Sequence, residues 1–408
     1  MAAAYLGRRH VQTLVINDTD VVGGRAWTFT RDGFHFNFGP HRLFGGGAAV
    51  AGLRELGIPI NAAARGPNGG LAICHGRAHT LPLGHCSLMA TSVLQGPAKL
   101  ELARVLVEVP RLNLATLQTV GVQAWLDGRV NDSRVRSLLR ALIRAATYCG
   151  DLERLSAAAG VQQLALALRG PVLCIHEGWG AMVRAVQDEA LALGVRVQVG
   201  HAVVALETQR DSVQHIILAN GDHIRCRAVI VATNPRHVHQ LFGDAVSAID
   251  ALTPVRAATL DVALRGLPNP RSVFAFGVDV PLCCCVDSAI ARVAPPGAAV
   301  IHAAKYLATD EAATARDEEE LEQFLDLVQP GWRSLVVHRR FLSTMIVSHA
   351  LVAAGIGGFG GRPDGHVEGK TNAYLAGDWI GPTGQLADAA VASALRAARA
   401  TERLIAAS

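Results

Sequence analysis

Lysine is nearly absent: the 408 residues hold only Lys99, Lys305 and Lys370, so almost all of the 38 basic residues are arginine. The net charge of +4 is small for this length, and no arginine run is dense enough to follow a phosphate backbone, which argues against a nucleic-acid partner. The eight cysteines show neither C-x-x-C nor paired Cys/His spacing, so no metal site is expected. Three of them, Cys283, Cys284 and Cys285, are adjacent and cannot all point the same way on a strand. They read as small buried apolar residues of a reduced compartment. Every long apolar stretch is broken by charge, glycine or proline before ~18 residues, so neither a spanning helix nor a signal peptide is recognised and a cytoplasmic protein is expected.

What is present is bulk apolar content. Half of the residues are hydrophobic and 18% are charged, enough for a large buried core and for two domains rather than one. Residues 11 to 16 run apolar like a buried parallel strand, after a helix tail at 2 to 9. Phe34 to Phe38 alternates strictly until Gly39-Pro40 ends it, and residues 47 to 56 look helical up to Gly57. From about 68 to 170 the character changes to a hairpin around His75-Gly76-Arg77 followed by amphipathic helices, among them 99 to 109 and 135 to 148. The first of these is read with Leu100, Leu102, Val105, Leu106 and Val109 on one side, either as core packing or as a membrane-facing or substrate-entry helix.

After Gly178 a helix closed by Gly194 leads into strands at 195–199, 202–208, 214–218 and 224–232, with Asn220-Gly221 as a hairpin turn. A second segment, about 245 to 365, precedes a last strand, a glycine-rich turn and a long helix. There, Y-L-A-G-D-W-I-G-P-T-G-Q-L-A-D-A-A from Tyr374 is the most specific motif. A strand running into Gly377-Asp378 and then a helix rich in small residues lets main chain approach a bulky planar ligand, with free N–H groups at the helix start.

With Val22-Gly23-Gly24-Arg25, Thr28, Gly39-Pro40-His41, the strand around Val203, Val229 to Thr233, and Gly377-Asp378 with the helix from Leu386, the chain resembles the FAD-dependent amine oxidase and phytoene desaturase superfamily. The likeness is strongest to the phytoene desaturase-related dehydrogenases and covers nearly all of the chain. It implies an α/β fold, α+β overall. A discontinuous Rossmann-like FAD-binding domain (1–66, 171–243 and 366–408) would carry an inserted substrate-binding domain (67–170 and 244–365). It also implies FAD as cofactor. Gly23, Gly24 and Arg25 would lie on the flavin and pyrophosphate side and Val203 against adenine. Gly377 and Asp378 would touch ribityl and phosphate, and the helix start at Leu386 and Ala387 would face the pyrimidine ring. Gly39 and Pro40 belong to the same set, and Asn17 stands where an acidic residue for the ribose is expected.

Counting back from Asn17 puts the glycines of G-x-G-x-x-G ahead of Met1, so the expected fold lacks its first, central strand and the phosphate-cradling turn. Either the start lies upstream or the chain is a truncated, flavin-poor, non-catalytic relative. No acid/base pair is evident. His41 is a weak candidate catalytic residue, with Arg42 as an alternative charged neighbour, and Lys305 reads as solvated or salt-bridged. The apolar second segment favours dehydrogenation or isomerisation of a hydrophobic polyene or prenyl-type substrate, with amine oxidation as the alternative. Peripheral membrane contact and a homodimer are further expectations.

Overall fold

The computed structural model describes residues 1–64 and 70–407; the domain boundary expected at 66/67 lies outside the described residues. The chain opens with a helix, Ala2–Arg8, then a strand, Leu14–Ile16, which pairs in parallel with Arg196–Gln198. The helix Trp179–Ala192 feeds that second strand, with Gly194 at φ +80° turning the chain. A three-stranded antiparallel meander follows, Val203–Gln209, Ser212–Leu218 and His223–Arg225. Its second turn is the expected Asn220-Gly221, where Gly221 takes φ +89°.

The single strand expected over 224–232 is two strands. His223–Arg225 completes the antiparallel meander, whereas Val229–Val231 pairs in parallel with Ala373–Leu375. One continuous strand cannot serve two sheets of opposite sense, so the chain leaves the first before entering the second. The two parallel pairs, Leu14–Ile16 with Arg196–Gln198 and Val229–Val231 with Ala373–Leu375, are not joined by any strand among the described residues. Val15 and Ile230 nonetheless pack on one apolar cluster, built by Tyr5, Leu6, Leu53 and Leu395 from three helices. The pairs therefore share a helical layer.

The second body is a seven-stranded sheet in the order Val336–Ser348, Val255–Leu264, Ala299–Tyr306, Leu282–Val286, Phe274–Gly277, Gly70–Cys74 and Arg77–Thr80. The last two form the hairpin expected around His75-Gly76-Arg77, in the register Leu71 to Thr80. One face of the sheet carries the helix Ala315–Val328, whose Leu321, Phe324, Leu325 and Val328 are buried against it. That helix starts in a Thr314/Asp317 capping box, which satisfies its first N–H groups. The other face meets the helices Pro97–Glu108, Val122–Arg129, Ser133–Thr147 and Ala157–Arg169.

Alternation sends Cys284 to the first face and Cys285 to the second. All three adjacent cysteines are buried, and burial pushes the Cys283 thiol up to about 11. One facial assignment changes. On Pro97–Glu108, Leu102 and Val105 are buried but Leu100 is 75% exposed, because two residues of helix turn it 200° from Leu102. Among the described residues no helix is long and apolar enough to cross a membrane.

Candidate active-site cavity

A cavity of about 760 Å³ opens between the Gly-Gly-Arg turn and the long strand Val336–Ser348. Gly24 and Arg25 line it, as do Leu342, Met345 and Ile346. Phe38 closes a side, while Pro235 and Arg236 from the start of the helix Pro235–Phe242 lie opposite with Ile249 and Leu252. The size is that of a site for a small molecule or cofactor ring.

Arg25 organises the wall. Its Nη2 lies 3.0 Å from Asp378 Oδ1, and its Nη1 donates to the Val347 carbonyl at 2.7 Å. The second Asp378 oxygen accepts the His349 N–H at 3.1 Å. Three distant segments thus meet at one carboxylate, which is almost fully buried and balanced by the arginine. The His349 ring lines the cavity, and burial, with the nearby Arg25 charge, holds its pKa below the usual histidine value. Its neutral form is therefore favoured. Sequence reasoning passed over His349; its only signal is a titratable side chain at the end of a strand.

The other expected site residues divide. Gly39, at φ +72°, belongs to the cavity's support: a Cβ there would lie 2.9 Å from Met345 Cε and Thr259 Cγ2. Pro40 is buried beside it. Asn17 folds its amide onto the Thr19 and Val21 carbonyls, and Val203 pairs with Leu218 in the meander. Gly23, at φ +121°, packs on Val183. At Gly377 packing alone already requires the absence of a side chain. A Cβ there would meet the Trp379 indole nitrogen at 2.6 Å, and Trp379 is fully buried. Leu386 opens the helix Leu386–Ala406 at φ +55°, an uncommon conformation for a non-glycine residue, next to Ala387. Arg362 braces the turn ahead of it by donating to the Asp378 and Gly384 carbonyls.

His41 stands apart from the cavity lining. Its Nδ1 contacts the Gly39 carbonyl at 3.0 Å, its ring packs on Trp179, and burial drives its pKa down to about 4. It is a packed loop histidine whose neutral form is favoured. Arg42 is the charged neighbour, bound to Asp287 at 2.7 Å. Lys305 is salt-bridged, with Asp317, Glu320 and Glu311 at 2.7, 2.9 and 3.2 Å, and Tyr148 and Tyr306 pack edge to face beside Leu386 outside the cavity. Among the described residues no group of three or more metal-ligating side chains occurs.

The whole arrangement matches a known sequence family. The model for flavin containing amine oxidoreductases matches residues 1–401. The chain belongs to this family. Solved structures share the fold across nearly the full length. An oxidoreductase from Methanosarcina mazei superposes with a TM-score of 0.79 at 16% identity, covering 97% of this chain and 96% of that one. Putrescine oxidase bound to putrescine gives 0.73 at 16%, covering 99% and 96%, and cyclohexylamine oxidase from Brevibacterium oxydans gives 0.68 at 15%, also covering 99% and 96%. No curated protein matches the chain.

The cofactor of this flavoprotein family is FAD, and the residues present fit its ring end. The cavity admits a planar ring, Gly24 brings bare main chain to its wall, and the charge of Arg25 is anchored there by Asp378.

Proposed function

We propose that this FAD-dependent oxidoreductase dehydrogenates or isomerises an apolar substrate of polyene or prenyl type, bound in the cavity of the Gly24–Arg25 wall. The segments 1–66, 171–243 and 366–408 form its cofactor half, and 67–170 with 244–365 its substrate half. The lining carries the reading: it is mainly hydrocarbon and, among the described residues, includes no aspartate or glutamate. A protonated amine entering it would find arginines rather than a counter-charge, and an unpaired cation in an apolar site is costly. Lys305 and the Tyr148–Tyr306 pair, the side chains with amine-oxidase chemistry, are engaged elsewhere.

Bound flavin supplies the hydride acceptor. The chain's own residues do the rest. Phe38, Leu342 and Met345 hold hydrocarbon and exclude water, Arg25 and Asp378 fix the Gly-Gly-Arg turn against the long strand, and neutral His349 can take up a proton at its ring nitrogen.

Anaerobic mixing of the flavin-loaded protein with candidate substrates tests this. Apolar polyenes or prenyl compounds should bleach the flavin absorbance, while putrescine and cyclohexylamine should leave it unchanged and release no peroxide in air. Bleaching by the amines alone would reverse the assignment.

A further inference from the structure

The charges around the cavity do not cancel. Arg25 is neutralised by Asp378 at 3.0 Å, and His349 is held below the usual histidine pKa. Arg236 also lines the cavity, yet it is exposed and has no hydrogen bond or ion pair to any described residue. The adjoining recess holds one carboxylate, Asp250, whose Oδ1 lies 3.4 Å from His239 Nδ1 and which makes no ion pair with Arg236 among the described residues. One unpaired, exposed guanidinium therefore stands on a lining where the polar side chains Asn234, Thr344 and His349 and the neutralised Arg25 alternate with apolar ones, among them Phe38 and buried Ile249.

We infer that Arg236 binds an anionic headgroup, and that the substrate is an apolar chain ending in a carboxylate. This rests on the hydrophobic-substrate reading and sharpens it. The polarity of the cavity orients such a molecule. Its hydrocarbon passes inward along Phe38 and Ile249, while its carboxylate stays at the wet mouth, where a guanidinium fork accepts both oxygens without either charge being buried. A solvent-exposed pair of this kind adds a modest increment to affinity and fixes which end of the chain enters first. The same guanidinium chemistry would suit the phosphates of the cofactor, and the test separates the two sources.

The probes are cis-parinaric acid, a fluorescent polyene carboxylate, and its methyl ester, titrated into the purified protein and into Arg236→Gln and Arg236→Lys, with FAD occupancy read from each absorption spectrum. The acid should bind about fivefold to tenfold more tightly than the ester. The gap should vanish in Arg236→Gln, survive in part in Arg236→Lys and shrink with added salt, with FAD occupancy the same in all three proteins. Equal binding of acid and ester, or a gap that persists in Arg236→Gln, overturns the headgroup assignment while leaving the apolar-substrate reading intact. A loss of FAD in Arg236→Gln overturns it in favour of a cofactor phosphate. Failure of both probes to bind overturns the hydrophobic-substrate reading and this inference with it.

Discussion

Asp388 is a carboxylate in the wrong place for its charge. It is almost fully buried in the first turn of the last helix; Oδ1 accepts the Ala49 N–H at 2.8 Å, and Oδ2 has no hydrogen-bond partner among the described residues. Burial pushes its pKa from 3.8 to about 6. Between those values the folded chain holds a proton that the unfolded chain has lost, so stability falls as pH rises through this window and stays lower above it. A shift of that size corresponds to ~3 kcal/mol. Asp388→Asn keeps an oxygen for Ala49 and removes the charge. It should be more stable than the parent at pH 7.5, by at most this amount, and nearly equal at pH 4, as measured by urea unfolding. An unchanged unfolding midpoint at pH 7.5 would show that the carboxylate is compensated after all.

The parallel strands make the sharpest statement at the level of elements. Leu14–Ile16 and Val229–Val231 each pair on one side only, and their side chains are mostly half-buried although the residues are those of strands covered on both faces. Unpaired, apolar edges recruit other strands. The chain from Met1 should therefore self-associate, with a mass by light scattering that rises with concentration over the micromolar range. A monomer at every concentration would show that these edges are already covered. The helices were easier to foresee. The stretch after Gly178 and the one before Ala400 carry their own start and stop signals, and both fold as helices. The 224–232 strand was misjudged because alternation reports a strand and not which sheet it joins.

Across the whole molecule a buried chain of alternating charge links the two halves. Arg42 binds Asp287 at 2.7 Å, Asp287 lies 3.6 Å from His302 Nε2, His302 Nδ1 is 2.6 Å from Asp261, and Asp261 is 2.5 Å from Arg340. Arg340 also donates to the Asn37 carbonyl, beside the cavity-lining Phe38. Asp261 and Asp287 hold the His302 pKa above its usual value despite burial. This contribution is therefore complete below pH ~6.5 and is lost as pH rises through the raised folded value. Asp261→Ala leaves Arg340 without its carboxylate and His302 with Asp287 alone, and should cost ~3–5 kcal/mol in chemical unfolding at pH 6. It should also flatten the decline in stability at alkaline pH. A loss below ~1 kcal/mol would mean that water replaces the carboxylate at little cost.

Residues 11–16, 34–38, 178–194 and 373–400 were legible because helix and strand periods, glycine stops and turn pairs act over a few residues, and backbone geometry dictates them locally. The Gly-Gly-Arg and Gly-Asp motifs likewise named two pieces of the site. Their meeting was not legible. Arg25 reaches a carbonyl 322 residues away, and the Asp378 carboxylate joins it to His349, a residue with no local pattern of its own. The contact between Gly377 and Trp379 was not legible either, since a glycine's neighbours are set by packing and not by sequence. His41 and His349 look equally plausible in the chain. Only the tertiary structure buries the first against Trp179 and turns the second into the cavity, because burial and charge balance arise when distant segments close on one another.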